Sequence, residues 1–379
     1  MPRRAAPSAL LLPALALTVL ATACGGPDLD RGVAEARKIR ASGRPADAVA
    51  LLDRLEKSHP GDARVLYERA AARHDLGKDE EALADTSAAL QARPDLADAQ
   101  LLHGILLASV GREQEGLATL RRMVAADPDR PGVHRAMAII QAKAGRHGAA
   151  VAQFEKELQI HPDDVETLTD LGVFYLQTGQ MEQATDRLAR AAAIDGAPAR
   201  AHQSYAEVLF KAGRREEGLA EQRKALAQAP DDAMLIVNHA RALAGYAHPE
   251  EAIKVLEDAV ARGVRDPRLH VERARQAREA LDYAGAEAWL EKAIALDPSL
   301  AEAQMDLGKV YLYQGKLTEA RAAFEAAARL APTDPYAPYY LANLLADEGH
   351  HDEAVPLLER SLELDPLNPK AHYSLAQAY

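Results

Sequence analysis

A period of 34 residues constrains this chain more than any other feature. Prolines stand at Pro60, Pro94, Pro128, Pro162, Pro230, Pro298, Pro332 and Pro366, every one on a grid of 34. A second grid carries Gly43, Gly77, Gly111, Gly145, Gly179, Gly213, Gly315 and Gly349, and breaks only at Ala247 and Leu281. Two further grids hold nothing larger than Ala: one runs from Ala48 to Ala354, the other from Ala36 to Ala376. Four grids in phase mean one small unit copied in tandem, and such units bury their apolar faces only by stacking on each other.

Each grid has a physical cause. Two helices that cross closely need a residue no larger than Ala at the crossing. The tight turn between them takes a left-handed residue, hence Gly. Proline then stops the second helix and keeps its predecessor out of the helical region. Asp163 with Glu166 and Ser299 with Glu302 have the spacing of capping boxes that open the next helix. Leu171, Tyr175, Leu188, Leu307, Tyr311 and Phe324 fill the inward positions, and Trp289, on a second helix, is expected in the core. With 48% hydrophobic, 27% charged and 4% aromatic residues, the composition suits helices packed on small side chains.

This pattern of small residue, Gly turn, second small residue and closing Pro resembles the tetratricopeptide repeat. The resemblance covers 29–368 as ten units, with 369–379 left as a C-terminal capping helix or partial repeat. It implies an all-α chain, a right-handed α-solenoid (superhelix) whose first helices line a concave groove. It also implies that the second, fifth, ninth, twelfth and thirteenth residues of each repeat face that groove.

The N-terminus reads differently. Arg3 and Arg4 precede an apolar run from Ala9 to Ala23 that ends at Cys24, the only cysteine. The run is short for a membrane span, and charge followed by a short apolar core describes a secretory signal. Ala21-Thr22-Ala23-Cys24 resembles the lipobox of bacterial lipoproteins, which implies lipidation of Cys24. The expectation is a signal peptide over 1–23, a lipid-anchored tether over 24–28, and export to the periplasmic face of an inner or outer membrane. The alternative is an ordinary secreted chain whose cysteine is incidental. One cysteine excludes a disulfide framework and a cysteine-based zinc site, and a net charge of −12 speaks against nucleic acid as a partner.

Catalytic signals are absent from the sequence. There is no Gly-rich phosphate loop, nucleophile elbow or His-Glu-x-x-His. His134, His202 and His270 recur at two-repeat intervals, roughly 20 Å apart at ordinary helix spacing, too far to share a metal. His350, His351, Asp352 and Glu353 sit at a turn, where adjacent side chains diverge. Asp163-Asp164 and Asp231-Asp232 stand at helix N-termini, where negative charge is favourable. No catalytic residue, metal or cofactor is expected.

The groove positions carry the remaining information. Leu101, Ile105, Ile139, Val173 and Val237 make an apolar middle. Arg241, Arg268, Arg275, Arg278 and Lys309 follow as a basic stretch, and then Tyr313, Tyr336, Tyr339, Asn343 and Tyr373. Arg and Tyr dominate interface hot spots, so these residues are candidates for partner binding. The competing reading pairs the arginines with Glu272, Glu279 and Asp306 as a solvated face. Tyr311 and Tyr379 are assigned to the core, and apolar surface at the C-terminal end would favour self-association. The expected function is a non-enzymatic, membrane-anchored scaffold that binds a protein or peptide in its groove. It would assist an envelope assembly such as a pilus, secretion machine or polysaccharide exporter. A secreted peptide-binding module and an accessory subunit of an envelope enzyme are the alternatives.

Overall fold

A computed structural model describes residues 27–379, and among these every regular element is an α-helix. The signal peptide and Cys24 lie outside the described residues. The chain divides into two compact units, the first ending at Glu157 and the second running from Leu158 to Tyr379.

The first unit holds α1 (Pro27–Ala41), α2 (Pro45–Ser58), α3 (Ala63–Asp75), α4 (Asp79–Ala92), α5 (Ala97–Ser109), α6 (Glu113–Ala126), α7 (Val133–Lys143) and most of α8 (His147–Ile160). The second holds α9 (Val165–Gln177), α10 (Met181–Ala193), α11 (Ala199–Lys211), α12 (Arg215–Gln228), α13 (Ala233–Gly245), α14 (Pro249–Ala261) and α15 (Pro267–Glu279). It continues with α16 (Tyr283–Leu296), α17 (Ala301–Gln314), α18 (Leu317–Leu330), α19 (Tyr336–Asp347), α20 (His351–Leu364) and α21 (Pro369–Ala378). Odd and even helices pair as hairpins, and first helices also touch each other: α1 on α3 and α3 on α5 in one unit, α13 on α15 and α15 on α17 in the other. Each unit is therefore a solenoid of stacked hairpins, and every second helix begins 34 residues after the last.

The turns explain that regularity. Gly77 is left-handed at φ 72°, and Lys78 N–H bonds back to the Arg73 carbonyl at 2.9 Å. Ala247 and Leu281, where the glycine grid breaks, take the same conformation at φ 67° and 63°. Their turns close in the same way, His248 to Leu243 at 2.8 Å and Asp282 to Ala277 at 2.9 Å. Packing of the two helices imposes the turn and overrides the residue's own preference. At the crossing of α5 and α6 there is no room for any side chain: a Cβ on Gly116 would lie 2.4 Å from the Gly104 carbonyl oxygen.

The caps fall one residue later than the spacing predicts. Asp164, not Asp163, opens α9 by accepting from the Thr167 N–H at 3.1 Å. Ser299 caps nothing: its hydroxyl donates to Asp297 at 2.6 Å, and α17 starts after Leu300 without a side-chain cap. The tight turn after the proline uses the earlier residue, so the extended cap conformation falls on the next one. Asp62, Asp232, Asp266 and Asn368 cap their helices from this later position, which is a grid of 34 in its own right. Where that grid point holds Arg130, Glu157 on α8 substitutes, accepting from the N–H groups of Gly132, His134 and Arg135 at 2.7–3.2 Å.

The core is Leu and Ala with two fully buried rings, Phe154 and Phe324. Trp289 is half-buried and stacks on His270 at 5.4 Å, beneath Lys292. Tyr311 packs against the same cluster as expected. Tyr379 does not belong to the core: it is 83% exposed just past α21, and its hydroxyl turns to the exposed face of α20, where it donates to Glu359.

Candidate functional site

The first helices of the second unit carry the expected partner-binding residues, and the structure sorts them into two kinds. Arg241 donates to Glu272 at 2.6 Å, and Arg275 donates to Asp306 at 2.9 Å and to Glu302. Both bonds join the ninth residue of one repeat to the sixth of the next, an offset of 31 residues. Arg37 makes the same bond to Glu68 in the first unit at 2.8 Å. The acids are nearly inaccessible: Glu272 is 2% exposed and Asp306 4%. Burial opposes the charge on Asp306, yet Lys309 and Arg275 outweigh it and hold its carboxyl below the usual range. Asp306 and Glu302 in turn keep Arg275 more strongly protonated than an ordinary arginine, against the effect of its burial. In each pair the acid is buried while the arginine reaches toward solvent, Arg37 and Arg241 most of all, and the bond ties neighbouring hairpins in register. Arg268 is bound back to Asp266, the cap of its own helix, at 2.9 and 2.6 Å.

The pairing with Glu272 and Asp306 is therefore present, whereas Glu279 makes no ion pair among the described residues. Lys309 shares Asp306 at 3.0 Å and lies 5.5 Å from the centre of the Tyr340 ring. Tyr340 occupies the sixth position of its repeat, where the two repeats before it place Glu272 and Asp306. A cation–π contact thus replaces the ion pair at the end of the ladder.

Tyr340 is the centre of the remaining surface, although the sixth repeat position is not among those the resemblance assigns to the groove. Its ring stacks on Phe324 at 5.1 Å and meets Tyr339 edge-on at 5.2 Å. Burial raises its pKa, with Tyr339 and Tyr313 adding to the rise while Lys370 and Arg278 oppose it. Arg278 and Lys370 have no ion-pair partner among the described residues. Tyr313 stacks on Tyr283 at 5.2 Å yet stays 63% exposed. Tyr336 and Tyr373 are also exposed, while Tyr339 and Asn343 are half-buried on α19. The structure sets Lys309 and Tyr339 against Tyr340, with Arg278 and Tyr313 near enough to act on its charge, and assigns Arg241, Arg268 and Arg275 to intrachain pairs.

The first unit presents a different face. Ile105 on α5 and Ile139 on α7 line a cavity of about 240 Å³ together with Ala136 and Ile140, and Lys143 stands at its edge. Leu101 and Ile105 also line a smaller recess beside Tyr67 and Arg40. Of the other expected groove residues, Val173 is half-buried. Val237 is not on the surface: it is 2% exposed and part of a core cluster with Ile236 and Leu269. Among the described residues, no cluster of His, Cys, Asp or Glu is placed to hold a metal, and no helix is long and apolar enough to cross a membrane.

Family models described as tetratricopeptide repeat match residues 33–97, 101–165, 237–301 and 272–335, with further matches over 141–208 and 339–378. Yeast Tom70 is similar in structure, with a TM-score of 0.56 and 14% identity over 92% of this chain and 88% of that one. The Cut9–Hcn1 hetero-tetramer of the APC/C gives 0.48 and 14% over 92% and 90%. PilF of Pseudomonas aeruginosa gives 0.45 and 22% over 56% and 97%. No curated protein matches the chain in sequence.

Proposed function

Because the chain belongs to the tetratricopeptide repeat proteins, a family of protein-interaction scaffolds, we propose that it is a lipid-anchored, non-enzymatic scaffold that binds a protein partner on the first helices α15, α17, α19 and α21. One observation carries the reading: two cations without ion-pair partners, Arg278 and Lys370, act on Tyr340 beside the exposed Tyr313 and the half-buried Tyr339. Elsewhere on these helices Arg268, Arg273, Arg275 and Lys309 each have a carboxylate partner, so a partner meets rings and unmatched charge here. Exposed tyrosine and arginine gain most from desolvation at an interface. Attachment rests on the run from Ala9 to Ala23 and on Cys24, and points to a role in an envelope assembly. Exposed Leu367, Tyr373 and Tyr379 favour contact between copies at the same end.

The test is a cross-linked pull-down from native envelopes, comparing wild type with Arg278→Glu combined with Tyr373→Ala. Both side chains lie outside the ion-pair ladder, so the fold is preserved. The expected result is a protein enriched only by wild type, with binding weakened by more than about 2 kcal/mol and further weakened by salt. Cys24→Ala should release the chain from membranes. Identical capture by both forms would overturn the assignment of this face, and membrane retention of Cys24→Ala would overturn the anchor.

A further inference from the structure

We propose that a crevice between α4, α5 and α6, outside the face just described, binds a small organic monocarboxylate, with its carboxylate on Arg122 and its apolar body on Leu90, Pro94 and Met123. The crevice has a volume of about 350 Å³, at the small end of the range for small-molecule sites, roughly 300–1,000 Å³. Its lining combines those apolar side chains with Gln100, His103, Thr119 and Arg122.

Arg122 is held in place without being neutralised. Its Nε donates to the Ala118 carbonyl at 3.5 Å and its terminal nitrogen to the Thr119 hydroxyl at 3.1 Å. Thr119 in turn donates to the Glu115 carbonyl at 3.0 Å, so its oxygen is left to accept from Arg122. The Glu115 carboxylate is already engaged, gripping Arg112 through two bonds of 2.8 Å, and Asp127 pairs with Arg130 at 3.3 Å. No carboxylate of the described residues pairs with Arg122, which leaves an oriented guanidinium beside an apolar wall.

The other polar groups favour an acid over a neutral or doubly charged ligand. Thr86 donates to the Leu83 carbonyl at 3.0 Å, so at 3.0 Å from His103 Nδ1 it must accept. His103 is then the neutral Nδ1–H tautomer, and its Nε2 has no protein partner among the described residues. Burial, with Arg112 and Arg122, keeps its pKa low, against a smaller pull from Glu115. A bound anion cancels part of that repulsion, lets His103 take up a proton, and gains a second donor. Gln100 donates to the Pro94 carbonyl at 2.7 Å, which fixes the rim. One full cation against an apolar wall suits a single carboxylate on a short chain or one ring; a phosphate dianion would leave that wall unused.

The experiment titrates the full chain with hexanoate, phenylacetate, hexanamide and inorganic phosphate, and follows the His103 ring by NMR, with His103→Gln identifying the signal. Both acids should bind saturably at one site and raise the His103 pKa, and hexanamide should bind at least tenfold more weakly. Arg122→Met should weaken hexanoate at least tenfold, Arg122→Lys should fall in between, and Arg112→Met should stay within twofold. The exposed Arg122 can be replaced without loss of fold, which an unchanged melting curve would verify. Absence of a saturable shift with either acid would overturn the proposal. So would wild-type affinity in Arg122→Met, or phosphate binding as tight as hexanoate. Because the crevice shares no residue with the face on α15 to α21, either proposal can fail alone.

Discussion

On α5 and α7 of the first unit the ninth repeat position is Ile105 and Ile139, and on α13, α15 and α17 of the second it is Arg241, Arg275 and Lys309. The partner position 31 residues on changes with it. Ile105 shares a cavity with Ala136, whereas Arg241 and Arg275 reach the buried carboxylates of Glu272 and Asp306. One backbone register thus supports either an apolar recess or an ion pair to a buried acid. The difference teaches that a basic stretch in a repeat chain need not be a basic surface. Burial of the partner acid turns the charge inward, and what is left to bind is the residue at which the ladder stops.

That contrast can be broken most directly at Arg275. Arg275→Met removes the shorter arginine bond from buried Asp306 and a longer contact from Glu272, which keep Lys309 and Arg241, and Arg275 is itself one-quarter exposed. The expected loss is about 3 kcal/mol by chemical denaturation, at the lower end for breaking a buried pair. Ile139→Met, at the same repeat position of the first unit, should cost under about 1.5 kcal/mol. Equal losses would mean that the ladder is not an interior feature.

Acid should separate the regions next. Burial, aided by Arg223, depresses His239 to about 4 from an ordinary 6.5. The unfolded chain therefore binds a proton in that window that the folded chain refuses. Stability is full above pH 6.5 and falls as the pH drops toward 4, by about 2 kcal/mol. Hydrogen exchange at pH 7 and 5 should show α13 losing protection, and His239→Gln should flatten the change. A pH-independent α13 would contradict the assignment.

The smallest effect concerns the turns. The first unit has Gly at every hairpin turn, while the second forces Ala247 and Leu281 to positive φ. Leu281 is 71% exposed, so Leu281→Gly loses little packing and relieves strain; a gain of about 1 kcal/mol is expected in denaturant. A loss instead would show that Leu281 makes a contact worth more than its strain.

Much of this was legible beforehand, because the grids of Gly, Ala and Pro report backbone requirements that repeat every 34 residues. Trp289 and Tyr311 were placed in the core on the same grounds. The ladder was harder to see: comparison at 34 aligns equivalent residues, whereas the ion pairs join non-equivalent ones at 31. Val237 was misplaced, and Tyr340 was not singled out, for a related reason. A repeat position is an average direction, and the neighbours of each copy decide whether that direction is covered. Val237 lies under Leu269 and Ile236, and Tyr340 opens toward Lys309.

Periodicity was enough to specify hairpins, their turns and their close crossings, since those depend on local backbone geometry and on the size of single residues. Which charges are satisfied, which rings stay in water and where a crevice forms depend on pairs of residues far apart in the chain. Those properties exist only once the hairpins have stacked, because burial and electrostatic partnership belong to the assembled interior and not to any one repeat.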